Sequence, residues 1–490
     1  MENESWSARS RLSYVIRNRR PTVHSGCCGQ FAFCISVAST AGRDNVEPNG
    51  KLTRLATPGA PISPAGRADN HGQAGSESAK TVRLNTPRKP VDNHASEKKL
   101  NIGMRSLLIS GSYFPPQVGG ISTMMAEICK ELGERRVAVL TGVKERAEEP
   151  ALGRVRIHRM DAELPSRSSI GNFRLITSLG LALVRERPSV LQYATLEDAY
   201  LAYWTHKALR IPHVMYAHGN ELLAAGRSSW SKPRAALLAS SCVVANSRYT
   251  EGLLRNLGLH ADQIRVVHPG CDLDRFRPVQ TTDEERARLS NGRPGARLLL
   301  TVGNLVERKG HDTVIRALPL LTNQGHDVVY LIVGDGPNRT ALQLLGESLG
   351  VSDRIVFLGR VNTSQLPLLY SAADIFIMVS RERLAHCDVE GFGIVFIEAA
   401  ACGTPSIGGR SGGVTDAVVD GVTGLLVEPL DVAAVAGSID RLLANRDLAR
   451  QLGDAARHRA ASQFSWSRFG QTVVSILDEV VRRPAHSVLP

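Results

Sequence analysis

Residues Val389–Pro405 read VEGFGIVFIEAAACGTP. The apolar run Ile375–Val379 ends just before them near Ser380, Ile394–Ala401 is compatible with a helix, and Thr404–Ile407 resumes an extended apolar pattern. Strand, glycine-bearing loop, helix and strand in that order make a βαβ unit, whose two strands run parallel. Gly391 and Gly393 lack a Cβ, so the backbone of this loop can approach a ligand closely. Amides at the helix start offer unpaired N–H groups and the positive end of the helix dipole, a setting suited to a diphosphate. Glu390 and Glu398 stand with seven residues between them. Ionised carboxylates accept strong hydrogen bonds from vicinal hydroxyls, so the pair suits a polyhydroxylated ligand. Taken alone, Glu398 is equally a solvated helix residue and Glu390 a loop charge.

The same alternation extends outward on both sides. Upstream, strands are predicted at Leu107–Ser110, Val137–Leu140, Val155–His158, Val190–Tyr193, His213–Ala217, Cys242–Ala245 and Arg265–His268. Helical stretches such as Ser122–Glu134, Phe173–Glu186 and Ser247–Leu257 lie between them. A polar linker, Pro269–Pro294, interrupts the pattern. It restarts at Arg297–Val302, Val328–Val333, Arg354–Leu358, Ile375–Val379, Thr404–Ile407 and Gly424–Val427, and a final amphipathic helix spans Ser467–Val481. Short apolar strands alternating with helices predict parallel sheets covered on both faces. The expected fold is therefore α/β, with two tandem Rossmann-like domains facing across a cleft at the carboxyl ends of their strands. The expected divisions are an extension 1–103, domains 104–271 and 272–463, and a C-terminal segment 464–490 packing back on the first domain.

Composition agrees with a fold of this class. The chain has 490 residues, 43% hydrophobic and 5% aromatic, with 44 glycines for strand-to-helix turns. No apolar run approaches the roughly 20 residues that span a bilayer, which excludes a multi-pass membrane protein. The net charge of +12 raises nucleic acid as a partner, but residues 1–100 hold 15 Lys/Arg against 8 Asp/Glu and so carry +7 of it. That stretch lacks helical or strand periodicity and reads as a disordered basic appendage or as a mis-assigned start before Met104. It has no aromatic interleaving to recommend nucleic acid. Arg17, Arg19 and Arg20 before Phe31–Ser39 make only a weak signal-peptide pattern. The cysteines of the body lack CxxC or metal spacing, consistent with a reduced, cytoplasmic protein.

The Glu390–Glu398 constellation resembles the EX7E signature of retaining glycosyltransferases of family 4, which have the GT-B fold. The resemblance runs from about Met104 to Val481. It also rests on TVGNLVERKGHDTVIRAL (Thr301–Leu318), LIVGDGP (Leu331–Pro337), FLGRV (Phe357–Val361) and RSGGVTDAVVDGVTGLLVEP (Arg410–Pro429). It is nearest in character to bacterial mannosyltransferases acting on phosphatidylinositol mannosides or polysaccharide intermediates. The resemblance implies that Glu398 holds the ribose hydroxyls of a nucleotide sugar and that Glu390 accepts from the transferred hexose. The Gly391, Phe392, Gly393 and Ile394 backbone would lie beside it. Lys309, with Arg308 next to it, would face the diphosphate and stabilise the charge developing on the leaving group. Asn304 stands where many relatives carry Arg, so either Arg308 substitutes or the diphosphate relies on Lys309 and the helix amides. Arg360 and Val361, after Gly359, would flank the base.

In the first half, Gly119 and Gly120 follow a strand and precede a helix, which suits a phosphate-approach loop and equally a tight turn. His218 follows a strand and faces the expected cleft. A lone histidine is commonly structural, and the resemblance gives it the donor sugar or reacting centre, with Asn220 and Glu221 beside the acceptor. Asp272 and Asp274 spell DxD, but in a hinge-like linker where a metal role is not expected. No cofactor is expected: the nucleotide sugar, GDP-mannose or a UDP-hexose, is a substrate. The partners are that donor and a glycan or glycolipid acceptor, with peripheral contact at the inner membrane face. The basic, apolar segment Gly226–Leu238 is a place for such contact or a solvated helix. The family implies front-face transfer with retention. The rival readings are a GT-B nucleotide-sugar epimerase and a non-catalytic sugar-binding assembly protein.

Overall fold

The computed structural model describes residues 104–482, apart from 118, 134–135, 143–151, 153–154, 161–168 and 225–229. The readings of the extension 1–103, and those on parts of 154–172 and 221–234, lie outside the described residues.

The first half contains β1 (Ser106–Ser110), α1 (Gly120–Leu132), β2 (Val137–Thr141), β3 (Arg156–Arg159), α2 (Ser169–Glu186), β4 (Val190–Tyr193), α3 (Ala199–Leu209), β5 (His213–Ala217), α4 (Asn220–Leu223), α5 (Ser231–Leu238), β6 (Cys242–Ala245), α6 (Arg248–Asn256) and β7 (Ile264–Val266). The second contains α7 (Asp283–Leu289), β8 (Arg297–Val302), α8 (His311–Asn323), β9 (Val328–Val333), α9 (Arg339–Ser348), β10 (Ile355–Gly359), α10 (Leu366–Ala372), β11 (Ile375–Met378), α11 (Ile394–Ala401), β12 (Ser406–Gly409), α12 (Val414–Ala417), β13 (Gly424–Val427), α13 (Val432–Ala444) and α14 (Arg446–Gln463), before α15 (Trp466–Arg482). Among the described residues the strands form two all-parallel sheets, ordered β3-β2-β1-β4-β5-β6-β7 and β10-β9-β8-β11-β12-β13.

Central strands such as β1 and β9 are buried along their whole length because both faces of each sheet are covered. Helices α2, α3 and α5 bury Leu175, Leu179, Ala202 and Leu237 on one side of the first sheet. On its other side α1 packs with α15 through Met125, Ile128, Phe469, Val473 and Leu477. The second sheet is sandwiched in the same way, with α11 and α14 on one side and α8 and α13 on the other. Strand order reverses between β1 and β4 and between β8 and β11, and the crevice at such a switch point is where open α/β sheets bind ligands.

The chain leaves the first sheet through Gly270–Cys271 and returns to it at Ser465–Trp466, and the two passages touch. The Cys271 N–H donates to Phe464 O at 2.7 Å, and a Cβ on Gly270 would lie 2.6 Å from the Trp466 nitrogen.

Two expectations need correction. Pro269–Pro294 is not a featureless linker, because it contains α7. A capping box starts this helix: Thr282 Oγ1 accepts from the Glu285 N–H at 3.2 Å, and the Glu285 carboxylate accepts from the Thr282 N–H at 2.8 Å. The strand predicted at Arg265–His268 ends at Val266, leaving His268 to turn toward the second domain.

Candidate active site

The loop after β8 enters a short turn, Glu307–Lys309, closed by Gly310 at φ 71°. Only glycine adopts that conformation without strain, and a Cβ there would also lie 2.8 Å from the Val379 side chain. The turn thereby lies against the end of β11, and Lys309 and Arg308 point at the loop that follows it. Lys309 Nζ donates to Glu390 Oε2 at 2.6 Å and lies 3.4 Å from Met378 Sδ. Arg308 Nη1 donates to the same oxygen at 2.5 Å, and its Nε donates to Asp388 Oδ1 at 2.7 Å. Side-chain exposure is 17% for Arg308, 11% for Lys309 and 13% for Glu390, so water screens these charges poorly. Burial pushes the Glu390 carboxyl upward, but Lys309 and Arg308 outweigh it and hold the group below the usual glutamate range. Glu390 is therefore ionised, and two cations lie beneath it.

Glu398, on α11, is in a different environment. It accepts from the Tyr370 hydroxyl at 2.8 Å. Burial pushes its carboxyl up to about 7, against the opposing pull of the Tyr370 bond and Arg275. The two glutamates of one motif thus have opposite electrostatic settings.

The loop between them meets the first domain. A Cβ on Gly391 would overlap the His218 carbonyl oxygen and lie 2.7 Å from Asn246 Nδ2. The space that the missing Cβ leaves is taken by the His218 carbonyl of the first domain. Gly393 needs to be glycine for its φ of 89° at the start of α11. The Phe392 ring does not face the cleft. It is buried and stacked on His268, with centroids 5.3 Å apart.

On the opposite wall, His218 Nε2 donates to Ala194 O at 2.8 Å, and its backbone N–H donates to Glu221 Oε1 at 2.6 Å. A carbonyl only accepts, so Nε2 carries the proton of this bond, which anchors the ring to the end of β4. Asn220 Oδ1 accepts from the Val389 N–H at 2.7 Å, so Asn220 joins the domains at a position first read as an acceptor contact. Gly120 sits against Ile394, whose Cδ1 would lie 3.3 Å from a Cβ at 120, while Gly119 opens onto free space. Asn304 is exposed on the loop after β8, and the structure brings Arg308, not Asn304, to Glu390. Arg360 and Val361 follow β10 at the carboxyl edge of the second sheet, away from the ion cluster. Asp272 accepts from the Arg275 N–H at 3.0 Å. Among the described residues no group of three or more His, Cys, Asp or Glu side chains is placed to hold a metal ion.

Three contributors escaped the sequence reading. Tyr370 fixes Glu398, and Asp388 fixes Arg308. Asp416, buried on α12, accepts from the Arg248 N–H at 2.6 Å and from His268 Nε2 at 3.0 Å, both from the first domain. Asp388 was within reach of the motif, two residues before Glu390. Nothing in the local spacing marks Tyr370 or Asp416.

Two family models match the chain: "Glycosyltransferase Family 4" over residues 118–275 and "Glycosyl transferases group 1" over 283–459. A GDP-mannose-dependent alpha-(1-6)-phosphatidylinositol monomannoside mannosyltransferase of Mycolicibacterium smegmatis is 32% identical over 382 residues, covering 76% of this chain and 98% of the relative. A D-inositol 3-phosphate glycosyltransferase of Corynebacterium jeikeium is 32% identical over 301 residues, covering 58% of this chain and 68% of that protein. Sucrose-phosphate synthase from Thermosynechococcus elongatus shares the fold with a TM-score of 0.64 at 22% identity, covering 77% of this chain and 99% of that one. HepE of Anabaena, solved in complex with UDP, gives 0.63 at 20% identity over 77% of this chain and 100% of that one.

Proposed function

We propose, for a chain that belongs to glycosyltransferase family 4, that it moves a hexose from a nucleoside diphosphate sugar to a hydroxyl of a lipid-linked or glycan acceptor. The observation that carries this reading is the buried cluster of Lys309 and Arg308 under Glu390 at the switch point of the second sheet. A diphosphate entering there meets two cations that Asp388 and Glu390 already hold in place. Preorganised charge of this kind stabilises a departing phosphate without reorganisation at the moment of reaction. As the cations turn to phosphate, Glu390 is released toward hexose hydroxyls, while Glu398 and Tyr370 meet the ribose. GDP-mannose is the first donor choice, in keeping with the mannosyltransferase relative, and a UDP-hexose the second.

We further propose front-face transfer with retention of configuration, independent of a metal. The acceptor hydroxyl approaches on the side from which the phosphate leaves, and the departing phosphate takes its proton. His218, anchored through Nε2 to Ala194 O, orients the hexose or the incoming hydroxyl. Arg308 and Lys309 supply the positive charge that a metal would otherwise bring, so turnover is expected to persist in chelator. The acceptor is presented at a membrane surface, which the protein contacts peripherally.

Transfer and donor-hydrolysis assays on Lys309→Ala and Glu398→Ala test the site. Loss in both supports it, and unchanged activity in both removes the assignment. A thermal-stability panel of nucleotide sugars identifies the donor, since a ligand that binds only the folded state raises Tm with concentration.

A further inference from the structure

We infer that Arg381 is a positioning residue for the reaction: its guanidinium holds the Glu307–Lys309 turn where Arg308 and Lys309 serve the diphosphate. This deepens the function proposed above and rests on that reading. Strands β8 and β11 are parallel neighbours, so the turn after one lies beside the residues that follow the other. Gly310 packs against Val379, and two residues further on the Arg381 N–H donates to Arg308 O at 2.9 Å. The Arg381 side chain is only 10% exposed. Its Nη1 and Nη2 donate to Asp312 Oδ2 at 3.1 and 3.2 Å. Nη1 also reaches Thr313 Oγ1 at 3.4 Å, and Nη2 lies 3.6 Å from Glu307 Oε1.

One guanidinium thus ties the residue before Arg308 to the first turn of α8, on both sides of the two cations. Packing supports the turn less. None of its three residues is fully buried, and a groove of about 520 Å³ borders Val306, Glu307 and Asp312. Arg383 adds a second tie: its Nη2 lies 2.8 Å from Glu307 Oε2, and its N–H donates to Asp388 O at 2.8 Å. The Asp388 carboxylate in turn receives Arg308 Nε. Without the Arg381 guanidinium, Asp312 loses its cation and Glu307 one of two. Both carboxylates would then compete with an incoming diphosphate for Arg308 and Lys309. A planar fork of donors spans three partners at once, whereas an ammonium is a point charge and cannot.

The test follows release of nucleoside diphosphate from GDP-mannose and from UDP-glucose by the full chain, together with GDP and UDP affinity and Tm. Arg381→Met should lower kcat on the order of 100-fold, the loss that accompanies a displacement of about 1 Å at reacting groups. The loss in nucleotide affinity should be smaller, because the cations act most strongly on the charge of the departing phosphate. Arg381→Lys keeps the charge and should recover part of kcat. In an Arg308→Ala background, adding Arg381→Met should cost less than it does in the wild type, since the two residues act through one turn. Wild-type kcat in both Arg381 variants overturns the inference, and so does a full multiplicative loss in the Arg308→Ala background. Equal losses in the Met and Lys variants, with Tm lowered alike, overturn it too by making Arg381 merely structural. If Arg381→Met does not fold, Arg381→Lys decides: a folded protein with lowered kcat and near-normal nucleotide affinity supports the inference, and wild-type kcat overturns it. A wild type that turns over neither donor, or Lys309→Ala with wild-type turnover, refutes the proposed transferase site and this inference with it. Loss in Lys309→Ala without loss in the Arg381 variants refutes this inference alone.

Discussion

Gly391→Ala tests whether the glycine of the EGFG loop serves a ligand or the closure of the two domains. Its backbone lies outside the left-handed region, so alanine imposes no conformational strain. The added Cβ would lie 2.7 Å from Asn246 Nδ2 and would overlap the His218 carbonyl oxygen. Carbon makes unstrained contacts at about 3.5–4.0 Å, so the facing walls must separate by roughly 1 Å. The Val389 N–H to Asn220 Oδ1 bond, now 2.7 Å, would then stretch beyond hydrogen-bonding range. Each sheet keeps its own core, so the cost of about 1 kcal/mol for that bond falls on closure and leaves folding intact. A displacement of about 1 Å at reacting atoms costs on the order of 100-fold in rate.

The expected result is a transfer kcat/KM down by about 100-fold with the affinity for free nucleoside diphosphate unchanged, since the proposed diphosphate site lies in the second domain. Small-angle scattering should show a wider average separation of the domains. Equal losses in transfer and nucleotide affinity would refute the reasoning and return Gly391 to the role of a ligand-approach residue. Wild-type transfer would refute it as well.

Asp416→Asn removes the carboxylate that receives the Arg248 N–H and His268, and a hydrogen bond to a charged group contributes about 1.5–3 kcal/mol. Scattering should show a more open population and steady-state kinetics a lower kcat/KM, with nucleotide affinity intact. Glu398 gives nucleotide binding a pH dependence. In its proposed role Glu398 accepts from ribose hydroxyls in its ionised form, so affinity should rise as pH increases through about 7, and in Tyr370→Phe the rise should move to higher pH. Stability follows the same group with the opposite sign. Its folded-state value of about 7 lies above the ordinary 4.5, so its contribution to stability is full below 4.5 and falls as pH rises through about 7. Glu398→Gln should flatten that part of the Tm-against-pH curve. Asp388→Asn leaves Arg308 without its charged anchor, and kcat should fall by about tenfold or more while KM for donor changes less.

The fold was legible because its signal is local. Runs such as Val328–Val333 are apolar throughout since both sheet faces are covered, and helix-length amphipathic stretches separate them. The linker misled because α7, DEERARL, has no apolar stripe, and its TDEE capping box carries no periodicity. The members of the ion cluster were legible only one by one: EX7E singles out Glu390 and the ERKG stretch Arg308 and Lys309, whereas their pairing arises because the parallel sheet brings the loops after β8 and β11 to one edge. What stayed hidden depends on surfaces far apart in sequence. His268 was assigned to a strand, yet it turns across to Asp416 and Phe392. Gly391, Asn220 and Ile394 were read as ligand contacts, yet each touches the other domain. The ambiguity has a physical source. A closing cleft brings its ligand-facing loops against each other, so small residues and amide side chains there suit both a sugar and the opposite wall. Spacing within one domain carries no information about the wall it will meet. Distinguishing the two roles therefore requires a measurement that separates nucleotide affinity from transfer.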